Sequence, residues 1–123
     1  MDNHIKNLSN PFSTGGGGIN FEIRVQAAFV VLMLAKGFVP CFLPYFYIKK
    51  IKLQGRYANF DTDDMIIFLE EPSGKQEVKL LAQIKHSVRF TSGDKVFKDC
   101  ISAAWSDFHK KEIFTIGKDA YLP

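Results

Sequence analysis

Four polar side chains, Glu22, Asp64, Gln83 and Lys85, stand within or at the ends of otherwise apolar segments. Gln83 and Lys85 are two residues apart in a predicted strand, so they project from the same face. Asp64 leads directly into the apolar run Met65-Ile66-Ile67-Phe68-Leu69. Glu71-Pro72-Ser73-Gly74-Lys75 follows and has the composition of a hairpin turn. Counted outward from Ser73–Gly74, Asp64 lies about ten residues back and Gln83 about nine forward. An antiparallel hairpin therefore sets the two side by side. A carboxylate, an amide carbonyl and an ammonium in one place suit a hard divalent cation, which takes oxygen ligands and retains several waters. Asp64 would be the main ligand for Mg²⁺ (or Mn²⁺), Gln83 a neutral second ligand, and Glu22 an added charge from a neighbouring helix. Such an ion polarises a phosphoryl oxygen and lowers the pKa of its bound water. Lys85 would orient that water or stabilise charge developing on a scissile phosphate. Asp63 precedes Asp64 and is the other candidate for the main ligand.

The elements that must position these residues follow from periodicity. Phe21, Val25, Ala28, Phe29, Leu32 and Met33 recur at helical spacing, which predicts a helix over 20–36, ended by Gly37 and Pro40. The run Gly15–Gly18 before it is expected to break regular structure, as a hinge or as a loop pressed close to phosphate. Strands are predicted over 47–53, 65–69 and 77–88. Val96, Phe97, Cys100, Ile101, Ala104, Trp105 and Phe108 predict a second helix over 95–109, with Trp105 and Phe97 in the core. A last short strand is expected over 112–116. The order αβββαβ predicts a three-layer α/β domain with a small mixed sheet.

Length and composition are those of one folded domain. The chain has 123 residues, of which 46% are hydrophobic and 24% charged, excluding wholesale disorder. The net charge of +3 is compatible with nucleic acid without demanding it. Cys41 and Cys100 form no CxxC pair, which argues against a zinc ribbon or redox pair and for free buried thiols in a reducing compartment. The longest apolar run, Ala27–Ala35, falls short of the roughly 20 residues that span a bilayer. A polar N-terminus carries no secretory signal, so the expectation is a cytoplasmic protein with a flexible leader over 1–14 and one domain over 15–123.

The order of elements, with Asp64 followed by Gln83-Ile84-Lys85, resembles the PD-(D/E)XK nuclease superfamily. The resemblance is strongest to its Mrr-like restriction endonucleases, where Gln often replaces the acid two before the Lys. Asp63 stands where that family usually has Pro. The stretches Gly17-Gly18-Ile19-Asn20-Phe21-Glu22-Ile23-Arg24-Val25-Gln26-Ala27, Thr62-Asp63-Asp64, Leu81-Ala82-Gln83-Ile84-Lys85-His86-Ser87 and Ala103-Ala104-Trp105-Ser106-Asp107-Phe108 are similar to the N-terminal nuclease effectors of bacterial antiviral STAND NTPases of the AVAST type. This likeness covers about Gly15 to Asp119. It implies a restriction-endonuclease-like core, Mg²⁺-dependent cleavage of double-stranded DNA, and activation by assembly into a dimer or higher oligomer. It also implies that NTPase and sensor domains follow in a longer protein, of which this chain would be a fragment.

Several residues carry two readings. Lys49, Lys50, Lys52 and Arg56 form the densest basic stretch and suit phosphate contacts, or a solvated strand edge. Gln26, one turn after Glu22, would support it or touch DNA, or be an ordinary surface glutamine. Ser87 shares a face with Lys85 and is a further phosphate contact. His86 points to the opposite face from Lys85, where a core or supporting histidine is the plainer reading. Phe42, Tyr45, Phe46 and Tyr47 either fold inward or form a surface for self-association. The alternative to an enzyme is a non-catalytic interaction domain that kept the nuclease scaffold.

Overall fold

A computed structural model describes residues 16–54, 59–62 and 64–122. The leader, Gly15, Arg56 and Asp63 lie outside the described residues. The elements are helix α1 (Gly16–Ala35), strands β1 (Tyr47–Leu53), β2 (Met65–Glu70) and β3 (Glu77–Ala82), helix α2 (Lys95–Phe108) and strand β4 (Ala120–Leu122). The predicted order αβββαβ holds. The sheet order is β1-β2-β3-β4, with the first three strands antiparallel and β4 parallel to β3. That parallel step requires a crossover, and α2 supplies it.

β2 and β3 are the centre of the core. Met65, Ile66, Ile67, Leu69, Leu80 and Leu81 are fully buried, each contributing about 1.5–3 kcal/mol by leaving water. The period of two divides them between two faces. Met65, Ile67, Leu69, Val78, Leu80, Ala82 and Ile84 pack with Phe29 and, more loosely, Phe21, Val25, Leu32 and Met33 of α1. Ile66 and Leu81 pack on the other side with Phe60, Ile113 and Phe114, joined by Phe108 of α2 and Tyr121. The sheet is thus covered by one helix from each side. Phe46 and Val39 of the aromatic connection are buried in the first cluster and Phe42 packs against it, whereas Tyr45 and Phe38 stay exposed.

Five expectations need correction. α1 begins at Gly16, so three of the four glycines lie in its first turn. Helix propagation from a packed apolar segment offsets the roughly 1 kcal/mol that each glycine costs. β3 stops at Ala82 because β2 ends opposite it at Met65. Residues 112–116 are not a strand. Ile113 and Phe114 are buried as an apolar plug on a turn, both N–H groups donating to the Lys110 carbonyl at 2.9 Å. The strand is β4, placed by Asp119: its carboxylate accepts the N–H of Lys79 at 2.8 Å and of Thr115 at 2.7 Å, and lies 3.0 Å from Lys79 Nζ. Trp105 is 66% exposed, on the outer side of α2. Cys41 is exposed, and only Cys100 is a buried thiol.

Tyr121 yields a pH prediction. Its ring stacks on Phe114 at 4.7 Å and its hydroxyl is buried without a hydrogen-bond partner among the described residues. Burial first, then the nearby Asp107, Asp119 and Asp61, pushes the phenol well above its ordinary range. As pH rises past about 10, the unfolded chain releases this proton and the folded chain keeps it, so stability falls by up to about 1.4 kcal/mol per pH unit. Urea denaturation at about pH 9 and about pH 11 should show a larger loss for the wild type than for Tyr121→Phe.

Candidate functional site

The site grows from the β2–β3 register. Met65 stands opposite Ala82, so one step further Asp64 meets Gln83, as the count from the turn predicts. The ladder ends there, and the next strand N–H finds a side chain instead. Ile84 N–H donates to Asp64 Oδ2 at 2.7 Å, and Lys85 Nζ lies 3.9 Å from the same oxygen. Gln83 N–H donates to the Leu122 carbonyl at 2.9 Å, which ties this segment to β4.

The alternation persists past the end of β3. Leu81 belongs to the α2-side core and Ile84 to the α1-side core. His86 sets its ring edge-on against Phe21 of α1 at 5.3 Å, on the side opposite Lys85 as expected. From α1, Gln26 Nε2 donates both to Glu22 Oε1 at 3.2 Å and to the Asp64 carbonyl at 3.3 Å. One amide therefore bridges Glu22 to the backbone of Asp64. Gln26 therefore touches Glu22 directly, the residue one turn before it.

Gln83 and Lys85 wall two clefts. One, of about 130 Å³, opens between them and Phe21 and Val25 of α1. The other, of about 190 Å³, is closed by Asp61 and by Val96, Asp99, Cys100 and Ala103 of α2. Cys100 reports the charge there: burial raises its thiol pKa most, Lys85 pulls it down and Asp64 pushes it up. The thiol is thus held protonated at neutral pH.

The donor set fits a hard cation. Asp64 and Glu22 are carboxylates, and Gln83 Oε1 is buried and accepts no hydrogen bond among the described residues. An oxygen so placed is destabilising unless something else engages it. Among the described residues no group of three His, Cys, Asp or Glu could hold a metal.

The basic residues separate. Lys50 and Lys52 pair with Phe68 and Ile66, and Asp64 precedes Ile66 by two, so all share one sheet face. Lys50 Nζ sits 4.3 Å over the Phe68 ring. Lys49 is drawn to Glu77 at 3.3 Å and Glu70 at 3.5 Å, at the far end of the sheet from Asp64, and these acids raise its pKa, the Glu77 hydrogen bond foremost. Ser87 is exposed in a separate polar cleft with Arg89 and Thr91.

Sequence reasoning passed over Asp61 and Asp107. Asp107 is fully buried, yet it falls on the apolar spacing of α2 as an ordinary helix acid. That mismatch, an acid inside an apolar stripe, is the signal available in the sequence. Compared with known proteins, the chain matches no family model, no curated protein and no solved structure.

Asp64 carries structural weight even without metal. Asp64→Ala leaves the Ile84 N–H without its acceptor and should cost about 1–3 kcal/mol. Lys85 is 39% exposed at 3.9 Å, so Lys85→Ala should cost less than about 1 kcal/mol. Urea denaturation in EDTA measures both, and equal losses would contradict this division of roles.

Proposed function

We propose that this domain is a metal-dependent endodeoxyribonuclease of the PD-(D/E)XK type, the effector part of an antiphage defence NTPase. The observation that supports this reading best is the convergence of Asp64, Gln83 and Lys85 where β2 and β3 end. Their types and spacing resemble the superfamily motif, and the Ile84 N–H to Asp64 bond holds them in register. Asp64 and Gln83 would hold Mg²⁺ or Mn²⁺, with Glu22 assisting from α1. When bound, such an ion supplies charge stabilisation at a phosphoryl oxygen and an acidified water.

The chain's own residues do the rest. Asp64, anchored through Oδ2 by a backbone N–H, presents a carboxylate of fixed orientation. Gln26 braces Glu22 against the same backbone. Lys85, half exposed at the mouth of both clefts, places a cation where negative charge would accumulate on a scissile phosphate. Lys50 and Lys52 extend positive charge along the same sheet face, suited to a neighbouring backbone phosphate of double-stranded DNA. A single such site cuts one strand, so double-strand breaks call for self-association into a dimer or higher oligomer.

One observation favours a second reading, a non-catalytic interaction domain. Ile23, Val30, Val31 and Leu34 expose an apolar stripe on the outer side of α1, with Phe38 beyond its end. Patches of this kind mark partner surfaces.

Cleavage of supercoiled plasmid separates the two. With Mg²⁺ or Mn²⁺, and with the domain fused to a forced oligomer if the free form is silent, the wild type should nick or linearise DNA. Lys85→Ala should lower the rate by about 10²–10³-fold, the usual loss when a charge-stabilising donor is removed. No metal-dependent cutting in either form leaves the interaction reading standing.

A further inference from the structure

Asp107 is 0% exposed. A carboxylate that deep is costly unless both oxygens are engaged. Here they are: Oδ1 accepts the N–H of Asp61 and Oδ2 the N–H of Thr62, each at 2.7 Å. Two successive backbone donors on one carboxylate fix both the position and the orientation of that peptide. The surrounding turn of α2 tightens the grip. Ser106 Oγ donates to Asp61 Oδ2, and Lys110 Nζ reaches Asp61 Oδ2 at 2.8 Å, the Asn59 carbonyl at 2.9 Å and Asp107 Oδ1 at 3.6 Å. Thr62 is itself buried, and a single residue separates it from Asp64. An apolar residue of similar volume would satisfy α2 at lower cost, so packing does not account for an acid at 107.

We propose that Asp107 is a positioning residue: by clamping Asp61 and Thr62 to α2, it sets the place of Asp64 in the candidate metal site. The inference rests on the nuclease reading and adds α2 to the machinery of that site. Asp107→Asn keeps the shape but presents an NH₂ to one of the two loop N–H groups, so one bond becomes a clash of donors.

The test is Mn²⁺ binding by isothermal titration calorimetry on the DNA-free chain, well below the melting temperature of each variant. Asp107→Asn should raise the dissociation constant about tenfold, the lower end of what outer partners of metal ligands contribute. Amide exchange at Asp61 and Thr62 should accelerate in the same variant. If Asp107→Asn does not fold, Lys110→Met loosens the same clamp from a partly exposed position, and a smaller rise in the dissociation constant is expected. A variant that binds Mn²⁺ as the wild type does overturns the inference alone, and so does weaker binding with the Asp61 and Thr62 amides still protected. A wild type that binds no Mn²⁺ overturns the nuclease reading, and this inference with it.

Discussion

The hydrogen-bonded ladder between β2 and β3 ends at Met65 and Ala82, and everything at the site depends on how the next residues are satisfied. A strand N–H released from its ladder must find another acceptor. Ile84 finds the carboxylate of Asp64, the residue that the same register delivers beside it. The acid is therefore part of the fold before it is part of any chemistry. Gln83 and Lys85 flank Ile84 and, by alternation, fall on the side opposite its apolar anchor. The burial of Ile84 in the α1-side core thus turns its neighbours toward the cleft walled by α2.

Both helices reach this point, each by different means. α1 brings Glu22 and Gln26 through apolar packing of Phe21, Val25 and Phe29, and Gln26 bonds the Asp64 carbonyl. α2 arrives through charge: Asp94 caps it by accepting the Val96 N–H at 3.1 Å, and Asp107 near its other end grips the chain before β2. Its apolar residues are less committed, since Ile101 and Trp105 face outward. A helix held by directional bonds at its ends more than by burial along its length has its position set by those bonds. Asp61, the residue gripped from α2, also closes the cleft that Gln83 and Lys85 open.

What was legible in the sequence followed from strong, local periodicity. Tyr47–Leu53 alternates apolar and basic residues, Met65–Leu69 is a short apolar run between turn signals, and the Ser73–Gly74 turn fixes how β2 and β3 meet. Asp64 and Gln83 could therefore be paired by counting. The failures came where the deciding force is not local. Gly16–Gly18 opens a helix because the apolar residues after it pack on a sheet. Ile113-Phe114 has the composition of a strand, but both side chains fill one core from a turn. β4 is only three residues long, and its place is set by Asp119, whose partners Lys79 and Thr115 are remote or on a turn. Asp107 was hidden for a related reason. A buried acid is recognised by what it bonds, and its two donors lie more than forty positions earlier in the chain.

The surface features alone do not choose between an enzyme and a binding module. α1 is apolar on its inner side, where Phe29 is buried, and again on its outer side along Ile23, Val30, Val31 and Leu34. A helix of that kind is at its lowest free energy when both sides are covered. A nuclease that works as an oligomer needs such coverage, and so does a scaffold that merely docks. The polar set is more discriminating. A buried Gln83 oxygen with no donor among the described residues is a cost that docking through apolar contact does not offset. The ammonium of Lys85, 39% exposed and 3.9 Å from Asp64, is no such cost, so the amide oxygen is the feature that an apolar docking surface leaves unexplained.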